Sequence, residues 1–210
     1  GAVRFAYRGV DDIRQVVTDL TAEEIATTDF GTYTEDQFFD DMFRVTQYRT
    51  DPDLCEVLVR QSFPTIKWMR ECGVRFVPIY GRQAFKVDGK FKFWGGLTVE
   101  SVGGGPGLVD MLTAAAQKNK VEILYQARAL ELLFDGNKVE GVKIRHLGEL
   151  KDMSSNAVVL AAGGFQANSE MRTRYLGPGW DVAKVRGTPY NTGDGIRMAL
   201  DIGASSAGNW

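Results

Sequence analysis

The run Ala157-Val158-Val159-Leu160-Ala161-Ala162 constrains the fold of this chain more than any other feature, because it is apolar on both faces and ends in Gly163-Gly164. A strand with one wet face alternates polar and apolar residues, whereas a continuous apolar run reads as a strand buried in the middle of a sheet. Sheets of that kind bind ligands beyond the carboxyl ends of their strands. The residues from Gly163 onward are therefore the expected ligand-binding end of the sheet. From Gly103 onward helical and extended patterns alternate. Residues 106–118 carry Leu108, Val109, Leu112 and Ala115 or Ala116 on one side, and residues 121–125 read as a strand. Residues 129–134 and 138–145 flank Asp135-Gly136-Asn137, and a further turn at Leu147-Gly148 leads back through Leu150, which predicts an antiparallel meander. The class expected is α/β, with an incomplete central sheet, a meander and a helical N-terminal portion.

That N-terminal portion shows the helical period. Ile13, Val16, Val17 and Leu20 recur at helical spacing, and Thr34 is placed to cap a helix bearing Phe38, Met42, Val45 and Tyr48 on one stripe. Asp51-Pro52-Asp53 supplies a cap, a proline at the first helical position and an acidic first turn. The helix it starts runs to about Cys72, with Pro64 expected to kink or split it and Gly73 to stop it. A hairpin follows around Asp88-Gly89. A three-residue loop 87–89 would face Phe85 with Phe91 and Lys86 with Lys90, separating apolar from charged residues.

Twenty-four glycines are clustered rather than scattered. Gly103-Gly104-Gly105-Pro106-Gly107, Gly163-Gly164 and Gly193-Asp194-Gly195 are suited to bring backbone close to a phosphate, the first and last ahead of helical segments. Gly177-Pro178-Gly179 reads as a plain turn. Together they point to a nucleotide cofactor, although no GxGxxG follows a strand and no P-loop lysine is present. Lysines and arginines number 25 against 27 aspartates and glutamates, with no sustained run of either sign, so a nucleic-acid partner is not expected. No stretch approaches the length of a membrane span. Cys55 and Cys72 form no CxxC, so neither a disulfide framework nor a zinc site is expected, and a reducing, cytoplasmic setting is. The one histidine, His146, sits at a strand end as an edge residue rather than a base, and a histidine-rich metal site is impossible. Asp36, Asp40 and Asp41, like Glu23 and Glu24, read as solvated helix faces. Arg172, Arg174 and Arg186 are candidates to hold anionic groups, and Tyr190 to donate a proton.

The run 157–168, AVVLAAGGFQAN, followed by YNTGDGIRMALDIGA over residues 190–204, resembles the fumarate reductase/succinate dehydrogenase flavoprotein family. RYLGPGW at 174–180 and KVRGTPYNTGDG at 184–195 look most like its tricarballylate dehydrogenase type, and residues 4–9, 104–112 and 125–142 fit the same pattern. The resemblance implies FAD bound in a glutathione-reductase-like domain, and hydride transfer between flavin and a carbon–carbon bond of a polycarboxylate. It further implies that Ala127, Arg128 and Ala129 lie beside the adenine. Ala161, Ala162 and Gly163 would pass the ribose and pyrophosphate, and Asp194 would fix the cofactor. Residues 1–100 would form a helical portion with a hairpin, and residues 101–210 the α/β FAD-binding portion with the meander. The chain opens on Gly1-Ala2-Val3-Arg4 and reads as cut there, so the family's first βαβ unit and most substrate-binding residues are expected outside it. Exposed sheet edge and self-association would follow. A ketosteroid-type flavin dehydrogenase, or a piece without cofactor binding of its own, are the alternative expectations.

Overall fold

The computed structural model describes residues 1–207 and divides the chain into two compact units, Gly1–Glu122 and Ile123–Trp210. In the first, helices α1 (Val10–Val16), α2 (Ala22–Thr27), α3 (Glu35–Val45) and α4 (Pro52–Glu71) precede a small sheet. Thr21 and Thr34 each close a capping box, and Asp51 accepts from the Leu54 amide with Pro52 behind it, so all three helix starts are chemically fixed. The sheet has strand order β1 (Ala2–Val3), β5 (Val99–Ser101), β2 (Phe76–Pro78), antiparallel throughout. Between β2 and β5 lie the short helix α5 (Tyr80–Gln83) and the hairpin β3 (Ala84–Val87) and β4 (Lys90–Phe93). Helix α6 (Gly104–Lys118) closes the unit. Phe5, Ile13, Val16, Val59, Ile66 and Val99 are its dry centre, with Leu108 and Leu112 of α6 packed against the same cluster.

Helix α4 is continuous through Pro64, because Val59 and Ile66 are buried on either side of it and tertiary packing outweighs the lost hydrogen bond. Helix α3 ends at Val45, so Val45 and Tyr48 leave the apolar stripe and are exposed, while Phe38 alone of the four is buried. Val109 likewise lies on the wet side of α6. The hairpin turns through two residues, not three: Asp88 and Gly89 have φ of 50° and 80°, the type I′ geometry that matches strand twist. Its register therefore puts Lys86 opposite Phe91 and Phe85 opposite Lys92. The mixed pairing is accommodated by the Lys86 ammonium lying 4.7 Å over the Phe91 ring.

The second unit is built on the expected meander. Strands β6 (Ala127–Phe134), β7 (Val139–His146) and β8 (Glu149–Ser154) are antiparallel in that order, and Leu147-Gly148 is another two-residue turn with both φ positive. Helices α7 (Ser169–Leu176), capped by Asn168, and α8 (Asp194–Asp201) complete it. Two expected strands do not form. Residues 121–125 carry no ladder, and residues 157–162 are largely exposed, with Val159 at 89%. An extended run needs a neighbour to take its amides and carbonyls, and no described strand pairs with this one. The described residues are thus mixed helix and sheet, with every strand pair among them antiparallel.

Candidate functional site

The second unit contains a cleft of about 770 Å³ with Ala127, Arg128, Arg145, Tyr190, Thr192 and Asp194 among its walls. The meander supplies the first three from one end of β6 and β7, next to the Leu147-Gly148 turn. The loop entering α8 supplies the others. Asp194 is the first residue of α8, and its Oδ2 accepts from Arg128 Nη2 at 3.0 Å and Nε at 3.2 Å. Arg197, one turn further along α8, donates to the Leu130 carbonyl of β6 and to Asp201. The helix start is therefore tied to the sheet twice. The amides of the first turn of α8 have no acceptor within the helix and are the donors such a terminus offers an anion.

The segment after the apolar run is stitched to the same loop by backbone. The Gly193 amide donates to the Gly164 carbonyl at 3.1 Å, the Ala167 amide to the Asn191 carbonyl at 2.9 Å, and Asn168 Nδ2 to the Thr192 carbonyl at 3.0 Å. Gly193 has φ of 79°, and a Cβ there would come within 2.9 Å of the Phe165 Cβ, so the turn that presents Asp194 requires glycine. Ala162 packs against Gly195, and Gly163 against the Asn191 side chain.

Of the residues singled out by the resemblance, Ala127, Arg128 and Asp194 meet in the cleft. Ala162 and Gly163 adjoin the 191–195 loop without walling it, and Ala161 is exposed. Ala129 pairs with Ile144 further along the ladder. Tyr190 does wall the cleft and is 84% exposed. Arg172 is not available to an external anion. It is buried, and its guanidinium donates to the carbonyls of Gln166, Trp180, Asp181 and Ala183. Arg174 pairs with Glu170, and Arg186 is exposed outside the cleft walls. His146 ends β7 opposite Ala127. In the first unit Asp41 is more than a solvated carboxylate. Hydrogen bonds from Arg44 and Tyr33 hold its carboxyl below the usual range, and Arg4 pairs with it as well. Arg145 and Thr192 are cleft residues that sequence reasoning missed; the signal for Arg145 is the meander register, which sets it opposite Arg128.

The donor set suits a dinucleotide: an arginine with no protein anion, free helix-terminal amides, hydroxyls and small residues that let backbone approach. Among the described residues no cluster of metal-ligating side chains occurs, and no helix is long and apolar enough to cross a membrane.

The FAD binding domain family matches residues 20–209. The chain belongs to that family, and FAD is its cofactor. Over 171 residues it is 28% identical to a probable fumarate reductase of Shewanella frigidimarina, covering 80% of this chain and 28% of that protein. Over 161 residues it is 30% identical to the NADH:acrylate oxidoreductase of Vibrio harveyi, covering 74% of this chain and 16% of that one. The chain thus spans less than a third of either relative. Its fold superposes on 33% of a flavocytochrome c3 fumarate reductase in the open conformation with a TM-score of 0.71 at 23% identity, covering 98% of this chain. A 3-ketosteroid-Δ4-(5α)-dehydrogenase from Rhodococcus jostii RHA1 gives 0.69 at 18% identity, covering 98% of this chain and 45% of that one.

Proposed function

We propose that this chain supplies part of the flavin domain of an oxidoreductase acting on a carbon–carbon bond of a polycarboxylate, of the fumarate, succinate or tricarballylate kind. The observation that carries the reading is the cleft in which Ala127, Arg128 and Asp194 converge, within a chain matched over residues 20–209 by the FAD binding domain family. Bound FAD supplies the hydride chemistry. The chain's own groups do the holding. In this reading the backbone at Ala127, Arg128 and Ala129 lies along the adenine, Ala161, Ala162 and Gly163 lie near the ribose and pyrophosphate, and Asp194 accepts from cofactor hydroxyls or neighbouring amides. The glutathione-reductase-like topology belongs to the same reading, as does the expected division of labour between residues 1–100 and 101–210.

The polycarboxylate substrate is supported by the fumarate reductase relatives in sequence. A ketosteroid-type dehydrogenase is the second reading, favoured by the steroid dehydrogenases among the structural neighbours. The test has two parts. Titration of the purified chain with FAD, followed by flavin fluorescence, should saturate at one site; absence of binding sinks the cofactor role assigned to this cleft. Anaerobic reoxidation of the reduced flavin in the longer protein should then be fast with fumarate or a tricarboxylic alkene and slow with a 1,4-diene-3-ketosteroid. The opposite order selects the second reading.

A further inference from the structure

The antiparallel register of β6 and β7 places Arg128 directly across from Arg145, and both side chains wall the cleft. Like charges facing each other on one sheet face repel, the less so where water screens them, so the pair favours a nearby anion. Asp194 offsets Arg128 alone. Arg145 is exposed and has no ion pair or side-chain hydrogen bond among the described residues. Its register partner on the other side, in β8, is Leu150, which brings no anion either. Asp194 is the one carboxylate among the cleft walls, so the cleft keeps an unanswered positive charge beside the first-turn amides of α8.

We propose that Arg145 sets the affinity of this cleft for the adenosine-diphosphate half of FAD; the inference rests on the FAD reading given above. That half of the cofactor carries both phosphate charges and a purine face. A guanidinium is matched to either, as a forked donor to phosphate oxygens or as a cation over an aromatic ring. The riboflavin half carries no charge for it to meet. Arg128, spent on Asp194, holds the helix start in place, and Arg145 is left for the ligand.

The experiment compares the full chain with R145Q and R145K, titrated with FAD, ADP and riboflavin by fluorescence and calorimetry. Arg145→Gln is expected to weaken FAD and ADP binding by about tenfold, the scale of one charge-assisted hydrogen bond. It should leave riboflavin unaffected and flatten the salt dependence of FAD binding, and Arg145→Lys should recover part of the loss. Because the side chain is exposed and faces a like charge, neither variant should melt below the parent. Unchanged FAD and ADP affinity in R145Q overturns the assignment, as does an equal loss with riboflavin. Failure of the unsubstituted chain to bind either FAD or ADP overturns the reading of this cleft as the FAD site, and the two failures are told apart by that control.

Discussion

Burial, reinforced by the negative charge of Asp29, pushes the Tyr7 phenol up to about 12 from its ordinary 10.0. The side chain is 4% exposed, and its hydroxyl donates to the Phe30 carbonyl at 2.7 Å. Above pH 10 the unfolded chain gives up this proton while the folded chain keeps it, so stability falls as pH rises and the contribution is gone above about 12. The loss is about 2–3 kcal/mol. Tyr7→Phe should remove that share of the alkaline dependence and leave the smaller part due to Tyr33 and Tyr80, both also raised by burial. Urea unfolding across the alkaline range measures it, and an identical pH slope in the variant would refute the argument. Arginines show how little of a residue's fate the sequence discloses at this scale. Arg172, Arg174 and Arg186 are equivalent by type and neighbourhood, yet one is buried on four carbonyls, one is paired on its own helix and one is exposed.

Elements were legible where local chemistry decides them. The capping boxes at Thr21 and Thr34, the Asp51-Pro52 start of α4 and the glycine turns of the meander each rest on a few adjacent residues. Thr34 and Asp51 mark their helix starts in the sequence; of α2 only the helix face at Glu23 and Glu24 is expected, and α7 is not, although Thr21 and Asn168 cap them by the same rule. Elements that depend on a distant partner were not legible. The hairpin slipped by one residue from expectation because a type I′ turn and a cation–π contact outweighed like-with-like pairing. Residues 157–162 carry the composition of a buried strand and stand exposed for want of a ladder. That run is the place to test the expected self-association. Val159→Lys should change stability by less than about 0.5 kcal/mol, since Val159 is 89% exposed, and should lower the weight-average mass seen by light scattering at high concentration. A parent chain that stays monomeric at every concentration removes the expectation.

Across the whole molecule the apolar core is unevenly shared. The first unit buries Phe5, Tyr7, Ile13, Val16, Val59, Ile66 and further residues in one cluster, whereas among the described residues of the second the buried apolar side chains are Ile144, Met171 and Met198. Local stability follows buried contact. Amides of β6, β7 and α8 should therefore exchange faster than those of α4 and β5, and saturating FAD should slow the former selectively. At a free concentration of a hundred times the dissociation constant, binding adds about 2.7 kcal/mol to the state that binds. Hydrogen exchange with mass spectrometry checks this, and equal protection of both units with or without FAD would contradict it. By itself the sequence determined the meander, the capped helices and the family, because turn chemistry, caps and glycine spacing act between near neighbours and survive in the one-dimensional pattern. Only the tertiary structure decided that Arg128 is spent on Asp194 while Arg145 stays open, that Arg172 is consumed by the loop it pins, and that the most strand-like run has no described strand beside it. Each of those outcomes is a choice of partner across the fold, and a partner's distance is not written in the residues that need it.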